Sequence, residues 1–457
     1  MISKDAITAL KRFGCGPRRG EAAGLASPRE WLVAQLDRAD AARIDDADLP
    51  RADQAQRDHV AYRRERKRQL RGLDKDNREQ MDDLKRMMGP RPAVDYYSQE
   101  INARTRHAIE TDAPLVERLV GFWSNHFCIS AAKNGRVRAM AGAYEREAIR
   151  PYVLGRFRDM LFASAQHPAM LLYLDNEKSA GPNSPVGRRR SRGLNENLAR
   201  EIMELHTLGV HGGYTQEDVT NFARILTGWS VGKVDSPRGG VFVFHRRVHE
   251  PGAFTVLGRR YGGRGVDQGE AVLEDLARHP ATARFVAGKF ARHFVGDGAS
   301  DELVGRLAAT FRETDGDLRE LTYDLIASDE AWETPAQKLL PPYDFIVATA
   351  RATGWRPQER QMMKALNALG HKMWAPPSPA GWPDEDDAWV SPDAMLERLD
   401  WAQRIARRKA PREPVDRIAE DLLGPALDDH SRQVIARAEN KGQALALLLM
   451  TPGFQRR

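Results

Sequence analysis

NENLAREIMELHTLGVHGGYTQEDV, residues 195–219, is the stretch on which the reading of this chain turns. Apolar residues recur at helical spacing from Leu194 to Leu208, and Gly209–Gly213 supply a turn. Thr215 then opens a further helix, with Asp218 placed to complete a capping box. On a wheel turning about 100° per residue with Asn197 at zero, Glu201 falls at about 40° and Glu204 at about −20°. Those three residues share one face. Leu194, Leu198, Ile202 and Leu205 form the adjoining apolar stripe, so the carboxylates border the core. A regular helix sets His206 nearly opposite Glu204, and that pair does not grip one ion.

Outward from this stretch the pattern stays helical. Residues 113–127 form an amphipathic helix ending in Phe122-Trp123-Ser124-Asn125-His126-Phe127, with His126 on the buried side beside Leu115, Leu119 and Phe122. Ser27 precedes a short helix from Pro28, and residues 145–174 hold at least one more. Residues 51–88 mix both charge signs and predict one long exposed helix held partly by i,i+4 ion pairs, stopped at Gly89-Pro90. Its basic run, Arg63 to Arg68, reads as a solvated face rather than a nucleic-acid surface, because acidic residues follow at once. Two β-rich runs in 240–262, separated by Pro251-Gly252, predict a small hairpin. The Trp/Pro-rich stretch 374–389 reads as an ordered surface loop. The expected class is mainly α: a multi-helix globular protein with one β-hairpin excursion near 240–262. Four regions are expected: 1–90 with the charged helix, 91–239 as central helical core, 240–268 as the β excursion, and 269–457 as a helical C-terminal region.

Two carboxylates at i,i+3 on a half-buried face suit an acid/base pair or shared metal ligation, because burial beside a like charge drives their pKa values apart. The expected site residues are Glu201 and Glu204, with His126 as complementary base or ligand. Asn195 and Asn197 would orient a substrate and Arg200 would neutralise an anionic group. Glu201, Glu204, His126 and His249 would make a mixed O/N set for a divalent metal such as zinc, manganese or iron. His245 and His249, if in one extended strand, lie about 13 Å apart, too far for joint ligation. The competing reading pairs Glu201 and Glu204 with Arg200, Arg224 or the Arg188–Arg190 cluster and makes His126 a core residue.

Composition bounds the rest. The chain has 457 residues, 41% hydrophobic and 29% charged, which excludes wholesale disorder. Cys15 and Cys128 make neither a disulfide framework nor a zinc site. A formal net charge of +6 is mild for this length, and nucleic acid is not the expected partner. No membrane span and no phosphate-binding loop is apparent, and G-x-S-x-G, HExxH and CxxC are absent. Arg18-Arg19 is followed by no hydrophobic stretch and does not read as a twin-arginine signal, so the expected compartment is the cytoplasm.

FWSNHF and NENLAREIMELHTLGVHGGYTQEDV together resemble the bacterial domain-of-unknown-function 1800 family. RFGCGPRRGE, RILTGW, FHRRVHEPGAFTVLG, HPATARFVAGKFARHFV, KLLPPYDFIVATARATG, PAGWP and the terminal TPGFQRR extend the likeness over nearly the whole chain. The resemblance implies a mostly helical fold and no settled activity. It also implies a gene neighbour from the domain-of-unknown-function 1501 family, which is similar to alkaline phosphatases and sulfatases and often bears a twin-arginine signal. Two functions follow as expectations: a hydrolase with a carboxylate/histidine site, or a non-catalytic helical partner or chaperone of that neighbour, exported with it.

Overall fold

Helix starts explain much of the architecture. The Asn134 side chain accepts from the backbone N–H groups of Arg136 and Val137 and opens Gly135–Tyr144, while Pro114 opens Pro114–His126. Thr215 and Asp218 form the expected capping box at the head of Gln216–Leu226. The computed structural model describes residues 2–38, 40–71, 73, 76–190, 193–263 and 265–457, without the side chain of residue 190. Gly135–Tyr144 packs along Pro92–Glu110 so closely that a Cβ at Gly142 would sit 2.3 Å from Glu100 Cβ.

The fold is mainly α, with small antiparallel sheets as its only strands among the described residues. One apolar cluster includes Phe13, Trp123, Val256 and Phe454, so the four sequence regions share a core. At its centre lies Pro114–His126, whose Leu115, Val116, Leu119, Val120 and Trp123 are fully buried. Truncating Trp123 to alanine would cost about 3–5 kcal/mol.

Three local expectations need correction. The two β-rich runs do not pair with each other: Trp229–Val231 pairs with Phe242–Phe244, and Phe254–Val256 pairs with Arg259–Tyr261. The first sheet recruits a strand from outside 240–262, directly after Gly228, and Pro251-Gly252 joins the two sheets rather than turning a hairpin. The charged segment 51–88 is two helices, Ala52–Gln69 and Arg78–Met88, the second capped by Asn77. Residues 72, 74 and 75 between them lie outside the described residues. Ala52, Ala55, Gln56 and His59 are buried, so the first helix packs inward, against Gly135–Tyr144. The expected i,i+4 ion pairing occurs in Arg57–Asp53, while Arg68–Glu65 and Lys85–Asp82 pair at i,i+3.

The third correction bears on function. The helix expected over Leu194–Leu208 is α-helical only at Asn197–Glu201 and winds as a π-turn from Ile202 to Thr207. Leu208 N–H bonds the Met203 carbonyl at 2.9 Å, five residues back. The wider turn rotates everything after Glu201 off the regular wheel. Met203 and His206 are therefore buried, and Leu205, expected in the apolar stripe, is only half-buried.

Candidate active site

The Pro114–His126 helix and the 374–389 loop meet over a cavity of about 120 Å³, larger than one water needs. Asn125 makes that meeting specific. Its Nδ2 donates to the Trp382 carbonyl at 2.9 Å and its Oδ1 accepts from Trp382 N–H at 2.8 Å. Gly381 adopts φ +93°, and a Cβ there would lie 2.6 Å from Asn125 Oδ1, so the approach requires glycine. Trp374, at φ 46°, holds a conformation rare for a bulky residue. Its Nε1 donates to Glu145 at 2.8 Å and its carbonyl accepts from Ala131 N–H at 2.7 Å, which pin it there. The Trp-rich stretch is thus ordered, as expected, and it also closes the cavity.

One wall is a fully partnered charge network. Glu145 accepts from Ser124 Oγ and Trp374 Nε1 and pairs with Arg104 and Arg150, each at 3.0 Å. Glu117 pairs with Arg150 at 2.5 Å and with His107 at 3.2 Å. Burial opposes the charge on Glu117, yet Arg150 and His107 hold its carboxyl down to about 2. Glu145 is held low in the same way, by Arg104 and Arg150 against burial.

Other lining groups are under-partnered. Among the described residues His126 Nδ1, Tyr343 Oη, Trp382 Nε1 and Trp389 Nε1 are buried with no hydrogen-bond partner, and all four residues line the cavity. Lys289 lines it as well, half-buried, its ammonium 5.6 Å from the Phe285 ring centre, and burial lowers its pKa. His293 donates Nδ1–H to Asp384 at 3.0 Å, while its Nε2 faces Arg457 Nη2 at 3.5 Å. Burial brings His293 down to about 4 and keeps it neutral despite Asp384. Burial also pushes the Cys128 thiol up to about 12, and Cys15 up to about 11, so neither is a thiolate nucleophile.

His126 is buried where the wheel placed it. Its Nε2 lies 3.0 Å from the carbonyl of His206, on the last π-turn, where a helix leaves carbonyls unpaired. The carbonyl fixes the tautomer with Nε2–H donating, which leaves the Nδ1 lone pair unused. Burial pushes both His126 and His206 far below the ordinary imidazole value, His206 to about 3.

Glu201 and Glu204 are half-buried and do not line the cavity, although the charge of Glu201 reaches Cys128, which does. Among the described residues neither has a guanidinium partner: Arg200 pairs with Glu196 at 3.0 Å, and Arg224 bonds Asn221 at 2.8 Å. Burial, reinforced by Glu204 and only partly offset by Arg200, raises Glu201 to about 7. Tyr214 Oη donates to Glu204 at 3.4 Å. Asn197 is exposed, and Asn195 is occupied with the carbonyls of Leu174 and Asp175, each at 3.2 Å.

His249 stands elsewhere. It lies in a turn rather than a strand, its Nδ1 2.8 Å from the Thr227 carbonyl, while the adjacent Glu250 accepts from Asn183 N–H at 2.8 Å and from Nδ2 at 2.6 Å. Both residues tie loops together. Among the described residues no three His, Cys, Asp or Glu side chains gather as a metal-binding group, so Glu201, Glu204, His126 and His249 do not form the expected donor set.

Lys289, His293, Asp384, Trp382 and Trp389 were not among the residues singled out from the sequence. A wheel of 280–294 shows the signal, since Lys289 and His293 fall within about 60° of Val286 on the buried face.

No curated protein and no solved structure shows a match to the chain. Residues 8–456 match the family described as Protein of unknown function (DUF1800). The match spans nearly the whole chain, FWSNHF and PAGWP meet at one cavity, and the chain belongs to that family.

Proposed function

We propose that the protein is a hydrolase whose proton transfers run through Glu201. One observation carries this reading: a half-buried carboxyl with no cation partner among the described residues, raised to about 7 by burial and by Glu204. Such a group gives and takes a proton at neutral pH, which is what general acid–base catalysis needs. Glu204 supplies the like charge that keeps the pair poised. His126, neutral and with Nδ1 unused, offers a hydrogen-bond acceptor at the cavity wall. With both thiols protonated, an activated water is the nucleophile that suits these groups. Asn197 is the exposed amide on the same helix available to orient a substrate, while Arg200 is already engaged.

Chromogenic carboxylic esters, phosphate and sulfate monoesters and glycosides test the proposal with wild type and Glu201→Gln. Turnover by wild type, with a pH limb near 7 lost in the variant, supports it. Equal turnover by both proteins, or none by either, counts against it.

A second reading rests on a separate observation. Arg188, Arg189, Arg246 and Arg247 are exposed and make no ion pair among the described residues, and their loops are joined by Val186 N–H to the Arg247 carbonyl at 3.1 Å. That basic surface suits an acidic partner, and the domain-of-unknown-function 1501 neighbour implied by resemblance is the protein to co-express. Export with such a partner belongs to this reading. No described helix is long and apolar enough to cross a membrane.

A further inference from the structure

A second cavity, of about 350 Å³, lies where the first helical segments meet the last residues of the chain. Lys4, Lys11, Arg12, Arg456 and Arg457 line it, against Asp428 as the one acidic residue. Asp428 is occupied: its carboxylate accepts from Ser431 N–H at 2.8 Å and from Ser431 Oγ at 2.9 Å.

The five cations are held almost wholly by neutral acceptors. Lys4 reaches the Glu333 carbonyl at 3.5 Å, Lys11 the Gly453 carbonyl, and Arg456 the Gln337 carbonyl at 3.1 Å. Arg12 donates to the carbonyls of Ala331 at 2.6 Å and Thr334 at 2.7 Å, while Arg457 faces the His293 imidazole. None of the five makes an ion pair among the described residues. The buried Arg104, Arg118, Arg150 and Arg351 each have a carboxylate. Arg12 and Arg457 are 2% and 1% exposed, and Arg12 Nε, Arg457 Nε and Arg457 Nη1 have no acceptor among the described residues. Buried cations without an anion are strongly disfavoured, and guanidinium forks match oxyanion geometry.

We propose that this cavity binds a multiply charged oxyanion, the diphosphate group of a small molecule being the best match to the Arg457 guanidinium, whose Nε and Nη1 have no acceptor among the described residues, with the charges of Arg12, Arg456, Lys4 and Lys11 around it. The ligand supplies the negative charge that Asp428 alone does not balance. Arg457 also touches His293, whose partner Asp384 lines the central cavity, so an anion drawn to Arg457 sits one side chain from that wall. Burial and Arg12 lower Lys11 to about 7, so an arriving anion restores its charge and binding takes up a proton at pH 7.5.

Calorimetric titration of the full chain with sodium pyrophosphate at low salt and pH 7.5, in two buffers of different ionisation enthalpy, tests the site. The expected result is saturable 1:1 binding with proton uptake, weakened at least tenfold in Lys4→Gln/Arg456→Gln. That double variant changes exposed side chains only and keeps the fold. Lys233→Gln/Arg260→Gln removes the same charge from exposed residues that do not line the cavity and leaves binding unchanged. Citrate, run in parallel, distinguishes a polycarboxylate from a diphosphate. Absence of saturable pyrophosphate binding, or equal weakening in both double variants, overturns the proposal.

Discussion

Two pairs of glutamates in this molecule meet opposite fates. Glu117 and Glu145 are deeply buried, yet each is surrounded by guanidinium, and both stay charged far below neutral pH. Glu201 and Glu204 are less buried, but they face each other's charge without a cation partner among the described residues, and Glu201 protonates near 7. Burial alone therefore does not decide a carboxyl's state; the partner does. The first pair holds helices together, and the second holds a proton ready to move.

The sharpest way to break the comparison is to strip a partner from the first pair. Glu145→Gln leaves Arg104 and Arg150 short of a buried anion and should cost about 3–5 kcal/mol, read by urea unfolding at pH 7. Asn125→Ala, which frees the 374–389 loop from the Pro114–His126 helix, should cost about 1–3 kcal/mol. Hydrogen exchange should then speed up at Trp382 before anywhere else. Glu201→Gln should act with the opposite sign. At pH 8 it removes a charge that folding disfavours and should stabilise by on the order of 1 kcal/mol, discounted because the side chain is half-exposed.

The pH dependence separates the pairs without any mutation at the first. Glu117 falls from the ordinary 4.5 to about 2 on folding, so its contribution is present above 4.5 and is lost as pH drops toward 2. Glu201 rises from 4.5 to about 7, so the folded protein holds its proton more tightly. Its relative stabilisation is complete below 4.5 and is lost as pH climbs to 7. The smallest effect follows: the stability difference between Glu201→Gln and wild type should grow across that window and level off above it.

Much of this was legible in the residues. The Thr215/Asp218 capping box and the buried side of the FWSNHF helix depend on local spacing, which a sequence carries. The π-turn at Ile202–Thr207 was not legible, because nothing in ELHTLG marks a fifth residue in the turn. Its consequence was therefore missed as well: His206 swings inward and offers its carbonyl to His126. The Asn125–Trp382 pairing joins residues 257 positions apart, and no periodicity reports such a contact. The two-sheet arrangement failed for a related reason, since Trp229–Val231 sits behind a glycine and takes its partner from across a loop.

The most direct test is the titration of Glu201 itself, by NMR of side-chain carboxyl carbons in glutamate-labelled protein, with Glu201→Gln to assign the signal. A midpoint near 7, absent from the variant, is expected. A midpoint near the ordinary 4.5 would contradict it.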